Sequence, residues 1–183
     1  MNNKKYFFKI CLFFIALIVV FAIPGGVHAV MNEIDTTTLR QIDSYGRAVT
    51  DDGTYIYTVV ESSPTRVIKV RMSDMEEVGV LTLDGGENNG FGITNDGTHL
   101  YIVTNTSPAK VIKVDKDSMT RVGAVTIGQN NASAVTINGD YLYVVTNTNP
   151  TTVTKVLKSD LTIPGTLTLS GHTNGRAVIN DGE

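Results

Sequence analysis

The feature that most restricts how this chain can fold is a recurrence every 42 to 44 residues. The segments Gly46-Arg-Ala-Val-Thr-Asp-Asp-Gly53, Gly90-Phe-Gly-Ile-Thr-Asn-Asp-Gly97 and Ala132-Ser-Ala-Val-Thr-Ile-Asn-Gly139 superimpose. Tyr57, Tyr101 and Tyr143 keep the same spacing, as do Pro64, Pro108 and Pro150, and Lys69, Lys113 and Lys155. A fourth copy opens at Gly175-Arg-Ala-Val-Ile-Asn-Asp-Gly182. Landmarks of different chemistry recurring together mean one supersecondary unit used repeatedly. Each such unit buries its apolar faces against its neighbours.

Each unit reads as four short strands divided by turn chemistry. In the second copy Phe91 to Thr94 forms the first strand, and Asn95-Asp96-Gly97 supplies the positive backbone dihedrals of a tight hairpin. Leu100 to Thr104 is a run of β-favouring residues, and Asn105-Thr106-Ser107-Pro108 turns the chain again. Val111 to Val114 and Val122 to Ile127 complete the unit. No comparable window has a 3.6-residue apolar period, so the repeat region is all-β. A four-stranded antiparallel unit of this length has the size of one β-propeller blade. Leucine-rich units and β-helix coils are shorter.

The strand-two sequences Tyr101-Ile-Val-Thr-Asn105 and Tyr143-Val-Val-Thr-Asn147, with the weaker Tyr57-Thr-Val-Val-Glu61, resemble the signature of YVTN-type β-propeller repeat proteins. The preceding Asp-Gly or Asn-Gly turn matches as well. The resemblance covers roughly residues 46 to 183, and it implies a secreted or surface-layer-like protein while saying little about ligand. The expected architecture is a propeller of three blades, near 47–90, 91–132 and 133–175, with the start of a fourth at 176–183. Three blades do not close a ring, since propellers have about four to eight. The chain is therefore expected to be the N-terminal part of a longer one, or to associate with another copy. Residues 30–46 form an N-terminal segment in which Ile34 to Ile42 resembles Val114 to Val122 and so supplies a fourth-strand-like element.

Residues 1–29 have a different job. Lys4, Lys5 and Lys9 precede an uncharged apolar run from Ile10 to Ile23, which Pro24-Gly25-Gly26 ends before Val27-His28-Ala29. This is the layout of a secretory signal peptide cleaved after Ala29, and the run is shorter than the roughly 20 residues a membrane-crossing helix needs. The expected location is secreted or at the cell surface, with membrane contact only through the export signal. Cys11 is the single cysteine and lies inside the leader, so disulfides contribute nothing to the exported part. Removing the leader takes three lysines and no acid, which moves the formal charge from −3 to −6. That balance argues against a nucleic-acid partner.

Chemistry-bearing motifs are sparse. His99 and His172 occupy unmatched repeat positions, His99 as an expected solvated residue, and no metal-ligand spacing is present. There is no nucleophile elbow or phosphate loop, and no cofactor is expected. Asp51, Asp52, Asp96 and Asp181 recur at the hairpin turns, where turn chemistry explains them better than calcium. Lys69, Lys113 and Lys155 read as an ordinary solvated sheet face. Arg47, Phe91, Ser133 and Arg176 share one position at the start of the innermost strand, the expected channel lining and the first place to look for a ligand. Asn105 and Asn131 open N-x-[ST] triplets and are candidate glycosylation sites. The expected function is a non-enzymatic binding or cell-surface structural module whose ligand is a protein or polysaccharide. The alternative is part of an extracellular propeller enzyme, a lyase or dehydrogenase, with its active site in further blades.

Overall fold

The computed structural model describes residues 45–180. The leader, the fourth-strand-like element before Tyr45 and the turn residue Asp181 lie outside the described residues. Twelve strands run in order: β1 Tyr45–Asp51, β2 Tyr55–Glu61, β3 Arg66–Arg71, β4 Glu76–Thr82, β5 Gly90–Asn95, β6 His99–Thr104, β7 Lys110–Asp115, β8 Thr120–Thr126, β9 Ala132–Asn138, β10 Tyr141–Thr146, β11 Thr151–Leu157 and β12 Gly165–Leu169. Each successive set of four forms its own antiparallel sheet in plain sequence order. These are the three expected blades. β1 begins two residues earlier than expected, and Ile127 lies past the end of β8, where it is nonetheless buried.

The hairpin turns explain why the strands start where they do. Gly53, Gly97 and Gly139 take positive φ, which an L side chain would resist. Asp52 Oδ1 accepts the amides of Thr54 and Tyr55, and Asp96 Oδ1 accepts those of Thr98 and His99. The second oxygen of each carboxylate accepts the hydroxyl of the tyrosine opening the strand-two signature, Tyr57 at 3.0 Å and Tyr101 at 2.9 Å. One aspartate thus caps a turn and orients a buried ring. The third blade has Asn138 at this place.

Strand two is covered on both faces. In β6, Leu100, Tyr101, Ile102 and Val103 are all at most 1% exposed. Alternation sends Leu100 and Ile102 toward blade one, where they join Tyr57, Val59 and Val67. Tyr101 and Val103 face blade three and pack with Leu142, Val144 and Val156. The core is therefore divided between two seams and a third cluster, Val60, Ile68 and Val70 of blade one, rather than gathered in one centre. Each fully buried aliphatic side chain contributes roughly 1.5–3 kcal/mol.

Polar ties cross the same seams. Lys116 of blade two bonds Asp52 of blade one at 2.7 Å, and Lys158 of blade three lies 3.8 Å from Asp96 of blade two. Burial works to raise the Asp52 pKa. The Lys116 ammonium, the amides of Tyr55 and Thr54 and the Tyr57 hydroxyl outweigh it and hold that carboxyl well below the ordinary range. Lys69 Nζ donates to the Lys116 carbonyl, and Lys113 Nζ donates to that of Lys158. Two of the repeated strand-three lysines, Lys69 and Lys113, are thus not on the solvated face expected from sequence. Lys69 and Lys113 point along the two seams, Lys155 lies on the open face of blade three, and each is half-buried near an aromatic ring of its own blade.

Blade packing is also closest at a repeated small residue. The Gly90 amide donates to the buried Thr65 hydroxyl at 2.8 Å. A Cβ on Gly90 would lie 2.5 Å from Val59 Cγ2 and closer still to Thr65 Cγ2. Gly175 repeats this arrangement against Thr151 and Val145, where a Cβ would meet methyl carbons at 2.7 Å. The chain from Gly175 to Asn180 thus starts a fourth blade on the face of blade three, and Asn180 reaches the Ile137 carbonyl. The rest of that face is uncovered. Tyr57 and Tyr101 are 0% and 1% exposed, whereas Tyr143 and Val153 are only half-buried and Leu167 is 61% exposed.

Candidate functional site

The first strands β1, β5 and β9 lie side by side as the innermost elements. Each carries an irregularity in its pairing. Gly46 pairs with Val60 and Ala48 with Val59, so Arg47 has no partner in the ladder. Phe91 is skipped in the same way between Gly90 and Gly92, and Ser133 between Ala132 and Ala134. An extra residue of this kind bends the strand and re-aims its side chain, a device common beside binding sites. Arg176 holds the matching place after Gly175.

All four residues line one open cavity of about 240 Å³, with Ile93 and Val135 at its apolar base. The Arg47 guanidinium pairs with Glu61 and stands 4.6 Å above the Phe91 ring, within cation–π range. Ser133 is buried, and its hydroxyl lies 2.8 Å from the Gly175 carbonyl and 3.1 Å from that of Val145. Arg176 is exposed and has no ion pair or hydrogen bond among the described residues. Arg47 already spends its fork on Glu61, so Arg176 is the guanidinium on this cavity left to meet an anionic group with bidentate hydrogen bonds.

A second cavity, of about 530 Å³, opens at the seam between blades two and three. It is lined by His99, Tyr101, Lys113, Lys158 and Asp140 among others. His99, expected as a solvated residue, is half-buried at the wall of this open cavity. Its side chain is 24% exposed, and its ring sits 6.3 Å from that of Tyr101. The matching residues of the other blades are tyrosines whose rings cover the strand-three lysine, Tyr55 under Lys69 at 4.3 Å and Tyr141 under Lys155 at 3.8 Å. The first seam also has a cavity, of about 380 Å³, lined by Tyr55 and Lys69.

The turn aspartates are occupied by their own chain. Asp51 accepts the Gly53 amide, and Asp52 and Asp96 accept the amide and tyrosine donors described above. Among the described residues, no group of three or more His, Cys, Asp or Glu is placed to hold a metal ion. Asn105 lies in the β6–β7 loop within blade two and Asn131 in the loop between blades two and three, both half-buried, with Asn131 at positive φ. Ser133, the third residue of the second triplet, spends its hydroxyl on main-chain carbonyls.

Sequence reasoning missed a partly buried ion pair. Glu87, 2% exposed in its side chain, receives Arg121 Nη2 at 2.7 Å and Nε at 3.0 Å, with Asp84 3.1 Å from the same guanidinium. Nothing in the loop Asp84-Gly-Gly-Glu-Asn88 marks Glu87 as a core residue. Its repeat equivalents are Gln129 and His172, identified by the amide each carbonyl accepts, from Thr65, Ala109 and Thr151 in turn.

No protein-family model matches the chain, and no curated protein matches it. Solved structures do. The hydrazine synthase of Kuenenia stuttgartiensis aligns with a TM-score of 0.62 at 16% identity, over 80% of this chain and 42% of that one. U3-55K gives 0.60 at 15% identity, over 75% and 42%, and the RRP9 WD40 repeats give 0.60 at 15%, over 75% and 41%. The chain spans less than half the length of each of these. At such identity the likeness is one of fold, and together with the sheet order it makes the three sheets neighbouring blades of a β-propeller.

Proposed function

We propose that this chain is part of an exported, YVTN-type propeller that works as a non-enzymatic binding or cell-surface structural module. The bulge position carries the reading. Around it the repeats have Gly or Ala, then Ala or Gly, then Val or Ile, while the bulged residue changes from Arg47 to Phe91 to Ser133, with Arg176 at the matching place of the fourth copy. A strand that repeats the small and apolar residues around one position while varying the side chain it sends into the cavity is suited to presenting that side chain. The ligand class that suits them is an acidic protein surface or an acidic polysaccharide. The likeness to WD40 propellers supports a protein-interaction role, and the leader-like residues 1–29 support export. The open face of blade three supports completion of the ring by further blades or another copy.

A second reading, part of an extracellular propeller enzyme with its active site in further blades, draws on the His99 cavity, where blade two departs from its fellows. One experiment separates the two. Cells making the chain are fractionated, the mature N-terminus is sequenced, and the exported product is tested on immobilised acidic polysaccharides and envelope proteins. A product starting at Val30 whose binding is lost in Arg176→Glu and Phe91→Ala, but kept in His99→Ala, supports the binding module. Retention of a full-length cytoplasmic chain, or binding indifferent to Arg176 and Phe91, overturns it.

A further inference from the structure

The two complete seams are chemically different, and each is complementary within itself. At the first, Thr65 faces Gly90, Asp52 faces Lys116 and Glu87 faces Arg121. At the second, Asp96 faces Lys158, but Ala109 and Ala132 replace the threonine and glycine. Gln129 stands where Glu87 was, and Ile163 where Arg121 was. A carboxylate on one blade thus meets a cation on the next, and where the carboxylate is gone the cation is gone too.

The uncovered face of blade three sets a third combination. Thr151 is already answered by Gly175. Asn138 takes the place of the turn aspartate, and His172 that of Glu87. A partner carrying Lys116 and Arg121 equivalents would bury two cations with no carboxylate to meet them, a costly arrangement. Blade one has Met72 and Glu77 at those two places and Gly46 at the third. Gly46 to Gly53 and Gly175 to Gly182 also share Gly-Arg-Ala-Val and a closing Asp-Gly.

We infer that the open face of blade three is matched to a blade of blade-one chemistry, with an apolar residue opposite Asn138 and an acid opposite His172. This rests on the reading that further blades complete the ring. The face itself continues an established interface: Tyr143, Val153 and Leu167 stand where Tyr57, Val67 and Leu81 stand in the closed first seam, and the segment from Gly175 to Asn180 is already seated on it. The Lys155 ammonium, 3.8 Å over Tyr141, is placed to donate to a carbonyl of the incoming blade, as Lys69 and Lys113 do.

The test extends the full chain past Gly182 with a copy of residues 54–89 and follows hydrogen exchange of the amides around Val153 and Leu167. The copy should slow their exchange at least about tenfold relative to the unextended chain, since covering the face suppresses local opening. The same copy carrying Met72→Lys and Glu77→Arg should slow it less than about threefold, because two unmatched cations oppose docking. Adding Asn138→Asp and His172→Glu to the host should restore the protection, which also shows that the altered copy folds. Equal protection by both copies, with no gain from the host changes, overturns the matching alone. No protection by any copy overturns both the matching and the reading that further blades cover this face.

Discussion

Replacing Gly90 by alanine tests the packing of the first seam directly. The new methyl would lie 2.5 Å from Val59 Cγ2 and closer to Thr65 Cγ2, both on side chains with 0% exposure, so neither has free space into which to move. Overpacking of this kind costs typically 1–3 kcal/mol. Thr65→Ala alone removes the hydroxyl 2.8 Å from the Gly90 amide and costs about 1–3 kcal/mol, as for a buried donor left unpaired. Combining the two reproduces the alanine pair that the second seam already uses, Ala109 with Ala132, beside Val103 in the place of Val59. The double variant should therefore be less unstable than the sum of the singles, by about 1–3 kcal/mol in a double-mutant cycle. Urea denaturation of the four proteins measures this. Strict additivity would refute the claim that residue size across a seam is set pairwise.

Three further outcomes follow from the same geometry. Arg121→Met leaves Glu87 buried without its cation and should cost about 2–3 kcal/mol in urea denaturation, less than for a fully buried pair because Arg121 is 30% exposed; a neutral result would mean that the pair does not hold the seam. Asp52 has a depressed folded-state pKa, so its contribution is complete above the unfolded carboxyl value of about 4 and is lost as pH falls from there toward the folded value. Wild type should lose more stability between pH 6 and about pH 3 than Asp52→Asn does, and parallel pH profiles would contradict this. His99→Tyr should place a ring beside Lys113 as Tyr55 does for Lys69, and raise stability by about 0.5–1 kcal/mol, read as an upward shift in Tm. A lower Tm would show that the seam cavity does not admit the larger ring.

The strands, their turns and their grouping into blades were legible because they depend on neighbours in sequence. Asp96 caps a turn through amides two and three residues ahead, and Gly97 supplies the positive φ that turn needs. The shared place of Arg47, Phe91, Ser133 and Arg176 was legible for the same reason, since a repeat aligns equivalent positions whatever they contact. That three of them are bulges was not, because a bulge is a property of the pairing between two strands.

The repeat, read from sequence alone, determined that this protein is built from similar four-stranded units that cover one another. The tertiary structure decided what the units say to each other. Thr65 meets Gly90 25 residues on, Glu87 meets Arg121 at 34, and Asp52 meets Lys116 at 64. Lysines that alternate onto one side of a strand look the same in sequence whether that side faces water or another sheet. Only the placement of the next blade turned Lys69 and Lys113 from surface charges into donors across a seam. The physical reason is that turn and strand preferences act within a few residues, whereas burial and ion pairing depend on which faces the closed arrangement brings within a few ångströms.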